Sequence, residues 1–153
     1  MRVIRWGGPH RTTLAGMSEP PEELVELWSR VFGMAREGRT EELVAYVDAG
    51  IAANLTNDRG DTLLMLAAYH GHADTVKALL ERGADPNRLN DRGQSPLAGA
   101  VFKNDPDVVA ALVAGGADPR AGTPSAVDTA HMFGNTELLA LLQPPEAGDD
   151  PGR

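Results

Sequence analysis

One period governs the chain. Gly38, Gly71 and Asn104 fall 33 residues apart, as do Gly50, Gly83 and Gly116, and Gly60 and Gly93 share the spacing. The segment Asn57-Asp58-Arg59-Gly60-Asp61-Thr62 returns as Asn90-Asp91-Arg92-Gly93-Gln94-Ser95. Gly83-Ala84-Asp85-Pro86-Asn87 returns as Gly116-Ala117-Asp118-Pro119-Arg120. A unit this short cannot bury its own apolar face. A fixed repeat of that length therefore restricts the fold to stacks in which neighbouring units share one core.

The unit itself is readable. Thr62 and Ser95 are suited to accept from the free N–H groups at a helix start, and Pro96 sits at the first helical position, where no N–H is needed. An apolar helix over Leu63–His70 follows, ended by Gly71. A second helix carries Val76, Leu79 and Leu80 on one face and runs to Gly83. The polar stretch through Gly93 then turns back as a loop or hairpin. Ahead of these units, Ser18, Pro20-Pro21 and Glu22-Glu23 signal a helix start. The chain predicts helices from about Glu22 to Glu37 and from Thr40 to Ala49 in a first, capping unit. A fourth unit opens near Ser125, and its second helix, Glu137–Leu142, ends at Pro144-Pro145. Asn104 to Gly134 is 30 residues, so the deletion lies between Asp118 and Ser125 and the last finger is predicted to be blunt.

At these offsets the chain resembles the ankyrin-repeat family. The second unit reads Gly60-Asp61-Thr62-Leu63-Leu64-Met65-Leu66-Ala67-Ala68-Tyr69-His70-Gly71-His72, then Val76-Lys77-Ala78-Leu79-Leu80-Glu81-Arg82-Gly83-Ala84-Asp85-Pro86-Asn87. The family pattern is T-P-L-H-x-A-A-x-x-G-H followed by V-x-x-L-L-x-x-G-A-D-x-N. The likeness covers about residues 29–142. It implies an all-α solenoid of about four helix-turn-helix units with short loop or hairpin fingers. The implied division is a disordered basic leader at 1–17 and a repeat domain at 18–143, followed by a disordered acidic tail at 144–153. Within the domain, the N-cap takes 20–57, full repeats take 58–90 and 91–121, and the C-cap takes 122–143. Three departures matter. The His of T-P-L-H is Met65, Ala98 and Asp128 in successive units, so the hydrogen bond between repeats that this position supplies in the family is missing. Leu63 stands where the second unit would carry proline. Gly99 inside a helix costs about 1 kcal/mol relative to alanine. Either the third repeat is the least stable, or a neighbour packs close against Gly99.

Composition narrows the function. The net charge is −8, and residues 1–16 hold Arg2, Arg5 and Arg11 with no acid, so the remainder carries −11. Such a surface repels phosphate, which argues against nucleic acid and anionic membranes as partners. There is no cysteine, which excludes disulfides and thiolate sites and favours a reducing cytoplasm. No apolar run approaches the roughly 18 residues of a membrane span. Met1–Gly16 lacks the apolar stretch of a secretory signal. It reads as a leader, or as an artefact of start-site choice, since Met17 begins a sensible chain; intact-mass analysis separates the two. Twelve arginines against Lys77 and Lys103, with rich alanine and glycine, point to a GC-rich bacterial genome.

The resemblance implies a concave side, lined by the fingers and the first helix of each repeat, that binds proteins. Pairs just before the turn recur once per unit: Arg36-Glu37, Tyr69-His70, Phe102-Lys103 and Met132-Phe133. The fingers add Thr56, Asp58, Arg59 and Asp61, then Leu89, Asp91, Arg92 and Gln94. An aromatic stripe with a charged rim has the character of an interface. The plainer alternative is that each ring packs against the next repeat. The fingers read as acidic and would suit a basic partner.

Catalysis lacks a constellation. His70-Gly71-His72 has no third ligand in register and no thiol beside it, so no metal site is assigned. Asp128 and His131 share a helix turn, but no serine flanks them in a nucleophile elbow. The Asp-Arg-Gly fingers lack the glycine spacing and lysine of a phosphate loop. Glu22-Glu23, Glu41-Glu42 and Asp149-Asp150 read as helix-start charges or solvated tail. No catalytic residue and no cofactor is expected. The expected function is a non-enzymatic module, monomeric, that binds a cytoplasmic protein. The alternatives are a regulatory homodimer burying the aromatic face, and a small-ligand or ion binder around His70 and Lys103.

Overall fold

The computed structural model describes residues 22–143; the leader and tail expectations lie outside them. Among the described residues eight helices follow one another in four pairs: α1 Glu22–Glu37 with α2 Thr40–Asp48, α3 Leu63–Tyr69 with α4 Ala73–Glu81, α5 Pro96–Phe102 with α6 Pro106–Ala114, and α7 Ala126–Met132 with α8 Thr136–Leu142. The first helices α1, α3, α5 and α7 pack in sequence as one row, and α2, α4, α6 and α8 form a second row behind them. This is the expected all-α solenoid.

The start signals act as their chemistry requires. Thr62 Oγ1 accepts from the Met65 N–H at 3.0 Å, and Ser95 Oγ from the Ala98 N–H at 3.0 Å. Ser125 and Asp128 cap α7 reciprocally, with bonds of 3.1 and 3.3 Å, so Asp128 is committed to the helix start. Asp105 and Asn135 cap α6 and α8. One apolar cluster runs unbroken from Trp28 to Leu142. Leu64, Leu97 and Val101 supply its bulk, while Ala67, Ala68, Ala100 and Ala130 keep neighbouring first helices close.

Polar ties replace the missing family histidine. His72 Nε2 lies 2.7 Å from the Arg36 carbonyl, linking the second unit to the cap. That contact explains Gly38: its φ is +75°, and a Cβ there would overlap the His72 ring. Asn135 Nδ2 donates to Asn104 Oδ1 at 3.0 Å across the next turn but one. At the finger bases, Asn54 Oδ1 accepts from the Asp85 N–H at 2.8 Å, and Asn87 repeats the bond with the Asp118 N–H.

Candidate functional site

Each full finger is shaped by one asparagine. Asn57 Oδ1 accepts from the Arg59 and Asp61 N–H groups at 2.9 and 3.0 Å. Asn90 Oδ1 does the same for Arg92 and Gln94, both at 3.0 Å. An isolated antiparallel bridge joins Thr56 to Thr62, so the finger is a minimal hairpin. Successive fingers are tied by the Asp91 N–H donating to the Arg59 carbonyl at 3.0 Å and by Asn90 Nδ2 donating to Asp61 Oδ1 at 2.9 Å. The shortened connection at 118–125 folds down instead of projecting: the Thr123 N–H donates to the Gly93 carbonyl at 3.0 Å. Gly122 is required there, because a Cβ would stand 2.9 Å from that same oxygen.

Between the fingers and the first helices lies a groove of about 790 Å³. Its floor is Met65, Leu66, Pro96, Ala98 and Gly99. The finger wall brings Asp58, Arg59, Asp61, Asp91, Arg92 and Gln94. Arg36, Tyr69, His70, Phe102 and Met132 line it from the turn side. These eleven residues of the wall and turn side were singled out by the sequence. Five others fall elsewhere. Glu37, Leu89, Lys103 and Phe133 border the face without lining the groove, and Leu89 and Phe133 remain exposed. Thr56 is a correction: its side chain is 2% exposed because the hairpin bridge turns it into the core, so it offers nothing to a partner. Sequence reasoning missed Asn57, Asn90, Met65 and Ala98 as groove residues. The signal was present for the last two, since they occupy the vacated position of the family histidine.

The aromatic row forms and stays open. Tyr69, Phe102, Met132 and Phe133 are exposed by 40, 56, 67 and 56%. Phe102 and Phe133 meet at 5.8 Å between centroids, tilted by 59°. The ring does touch the next repeat, as the plainer alternative has it, yet keeps over half its surface in solvent. Lys103 Nζ stands 4.8 Å from the Tyr69 ring centroid, within cation–π range. Partial burial holds the His70 imidazole below its ordinary value, and the neighbouring His72, Arg36 and Lys103 push it the same way. The groove lining balances as a whole: Arg59 and Arg92 of the fingers and Arg36 of α1 stand with Asp58, Asp61 and Asp91, so the chain's net −8 lies elsewhere on it.

His72, one of the two histidines of the tempting pair, is engaged with the Arg36 carbonyl. Among the described residues no three of His, Cys, Asp or Glu gather as a metal set, and no helix is long and apolar enough to cross a membrane.

The family profile described as "Ankyrin repeats (3 copies)" matches residues 32–123. A protein of Pseudomonas aeruginosa named for its ankyrin repeats is 47% identical over 53 residues, which is 35% of this chain and 31% of that relative. The match thus spans under a third of the relative's own length.

Proposed function

Since the chain belongs to the ankyrin-repeat family, whose repeats are interaction modules and typically non-enzymatic scaffolds, we propose that its groove and aromatic row bind a protein partner. One observation carries this reading. Four large apolar side chains, Tyr69, Phe102, Met132 and Phe133, stand exposed in one row beside a groove. Monomeric surfaces seldom leave such a row uncovered without a use for it. Aromatic anchors flanked by arginine are the residues that dominate binding energy at interfaces. The fingers, braced by Asn57 and Asn90, present their charges without further ordering, which lowers the entropic cost of association. A chain without cysteine suits an encounter in the reducing cytoplasm.

Affinity capture from the native host with the full chain tests the proposal, compared with a Tyr69→Ala/Phe102→Ala variant whose fold is verified by circular dichroism. A protein retained by the wild type and lost by the variant supports the face. Equal retention by both moves binding off this face. Light scattering over a range of concentrations runs beside it: a dimer that dissociates on the same double substitution would make a second copy the partner.

A further inference from the structure

The turn end of the groove carries a charge pattern at odds with the rest of the molecule. Arg36, His70 and Lys103 occur at successive repeats, in α1 and just after α3 and α5. They stand close: Lys103 Nζ lies 4.8 Å from the Tyr69 ring centroid, the His70 ring 5.6 Å from the same ring, and Arg36 lines the groove with both rings. Two nearby carboxylates each have a partner of their own, although Asp105 Oδ2 also lies against Gly71 in the same turn. Glu37 lies 2.8 Å from Arg39 Nε, and Asp105 Oδ1 accepts from the Val108 N–H at 3.3 Å. Among the described residues, Arg39 and Arg82 are drawn into ion pairs, whereas no carboxylate pairs with Arg36 or Lys103.

Arg36 and Lys103 are like charges on a chain whose net charge of −8 supplies acids in plenty, yet among the described residues neither is drawn into an ion pair. Two cations without an ion-pair partner at the turn end of a groove are complementary to an incoming anion. Directly beside it, Phe102 and Phe133 offer an exposed apolar surface. We propose that the groove takes an acidic segment of a partner protein, with a carboxylate side chain seated among Arg36, His70 and Lys103 and an adjacent apolar side chain resting on Phe102 and Phe133. The inference rests on the interaction face proposed above and gives its partner a chemistry. It reverses the expectation of a basic partner drawn from the finger sequence.

The experiment is a selection of random phage-displayed peptides on the full chain. An enriched peptide is then made synthetically and titrated by fluorescence anisotropy. Enriched sequences are expected to place Asp or Glu next to Leu, Met, Phe or Trp. Affinity should fall about tenfold in Lys103→Glu and hold within about twofold in Lys103→Arg. Lys103 is exposed, so both variants should fold. Acidification that charges His70 adds a cation to the site, so affinity for an acidic peptide should rise until the peptide carboxylates themselves protonate, and His70→Ala should flatten that rise. Basic or uncharged consensus peptides overturn the inference, as does no enrichment at all. Thermal protection by inorganic phosphate with no peptide binding also overturns it. Binding lost in Phe102→Ala but indifferent to Lys103→Glu removes the acidic specificity and leaves the face standing. Indifference to both substitutions removes the face as well.

Discussion

Replacing Gly99 by alanine should stabilise the protein. Gly99 sits in the middle of α5, with φ outside the left-handed region, so its backbone makes no demand for glycine. An alanine Cβ would find Tyr69 Cδ1 at 3.6 Å as its nearest neighbour, an ordinary van der Waals contact. The close packing that might have explained the residue is therefore absent, and the helix carries the entropic cost of glycine alone. Alanine at such a site returns about 0.5–1 kcal/mol. For a domain of this size that is a rise in Tm of about 2–6 °C, readable by circular dichroism and by the urea midpoint. Gly122→Ala is the matched contrast. Its φ is +87° and its Cβ would press on the Gly93 carbonyl at 2.9 Å, so the substitution should destabilise. If Gly99→Ala lowered the urea midpoint, α5 would have to approach a neighbour more tightly than described, and the reasoning from Cβ space would fail.

Other outcomes follow from the same contacts. Phe102→Ala should cost under about 1.5 kcal/mol of stability, the worth of one aromatic pair, but weaken partner binding by about 2 kcal/mol; equal losses in calorimetric stability and in titrated affinity would return the ring to a packing role. Asn57→Ala removes two bonds from a side chain that is 5% exposed and should lower stability by about 1–3 kcal/mol in urea unfolding. His70 adds a pH dependence. Its folded-state value is lowered, so its contribution to stability is fully present above the ordinary imidazole range and is lost as pH falls through the folded value. Urea midpoints should therefore decline more steeply with acidification in the wild type than in His70→Ala.

Much of the architecture was legible before any coordinate. The period of 33 and the caps at Thr62, Ser95 and Ser125 depend on residues a few positions apart, and local chemistry of that kind survives into the fold unchanged. The glycine and asparagine turns are set in the same way. The deletion before Ser125 likewise announced the blunt last finger. The aromatic row was legible too, because solenoid repetition converts equal sequence offsets into spatial neighbours. Contacts between units were not. Thr56 reads as a polar finger residue, and only the hairpin closing on Thr62 buries it. His72 reads as half of a metal-like pair, and only the approach of the cap gives it the Arg36 carbonyl. The alternation of Asp58, Asp61 and Asp91 with Arg59 and Arg92 is already written in the fingers, but only stacking brings Arg36 and His70 from two units to one end of the groove, with Lys103 of a third at its border. Charge complementarity is a property of side chains that meet across repeats, and their distances are set by packing alone.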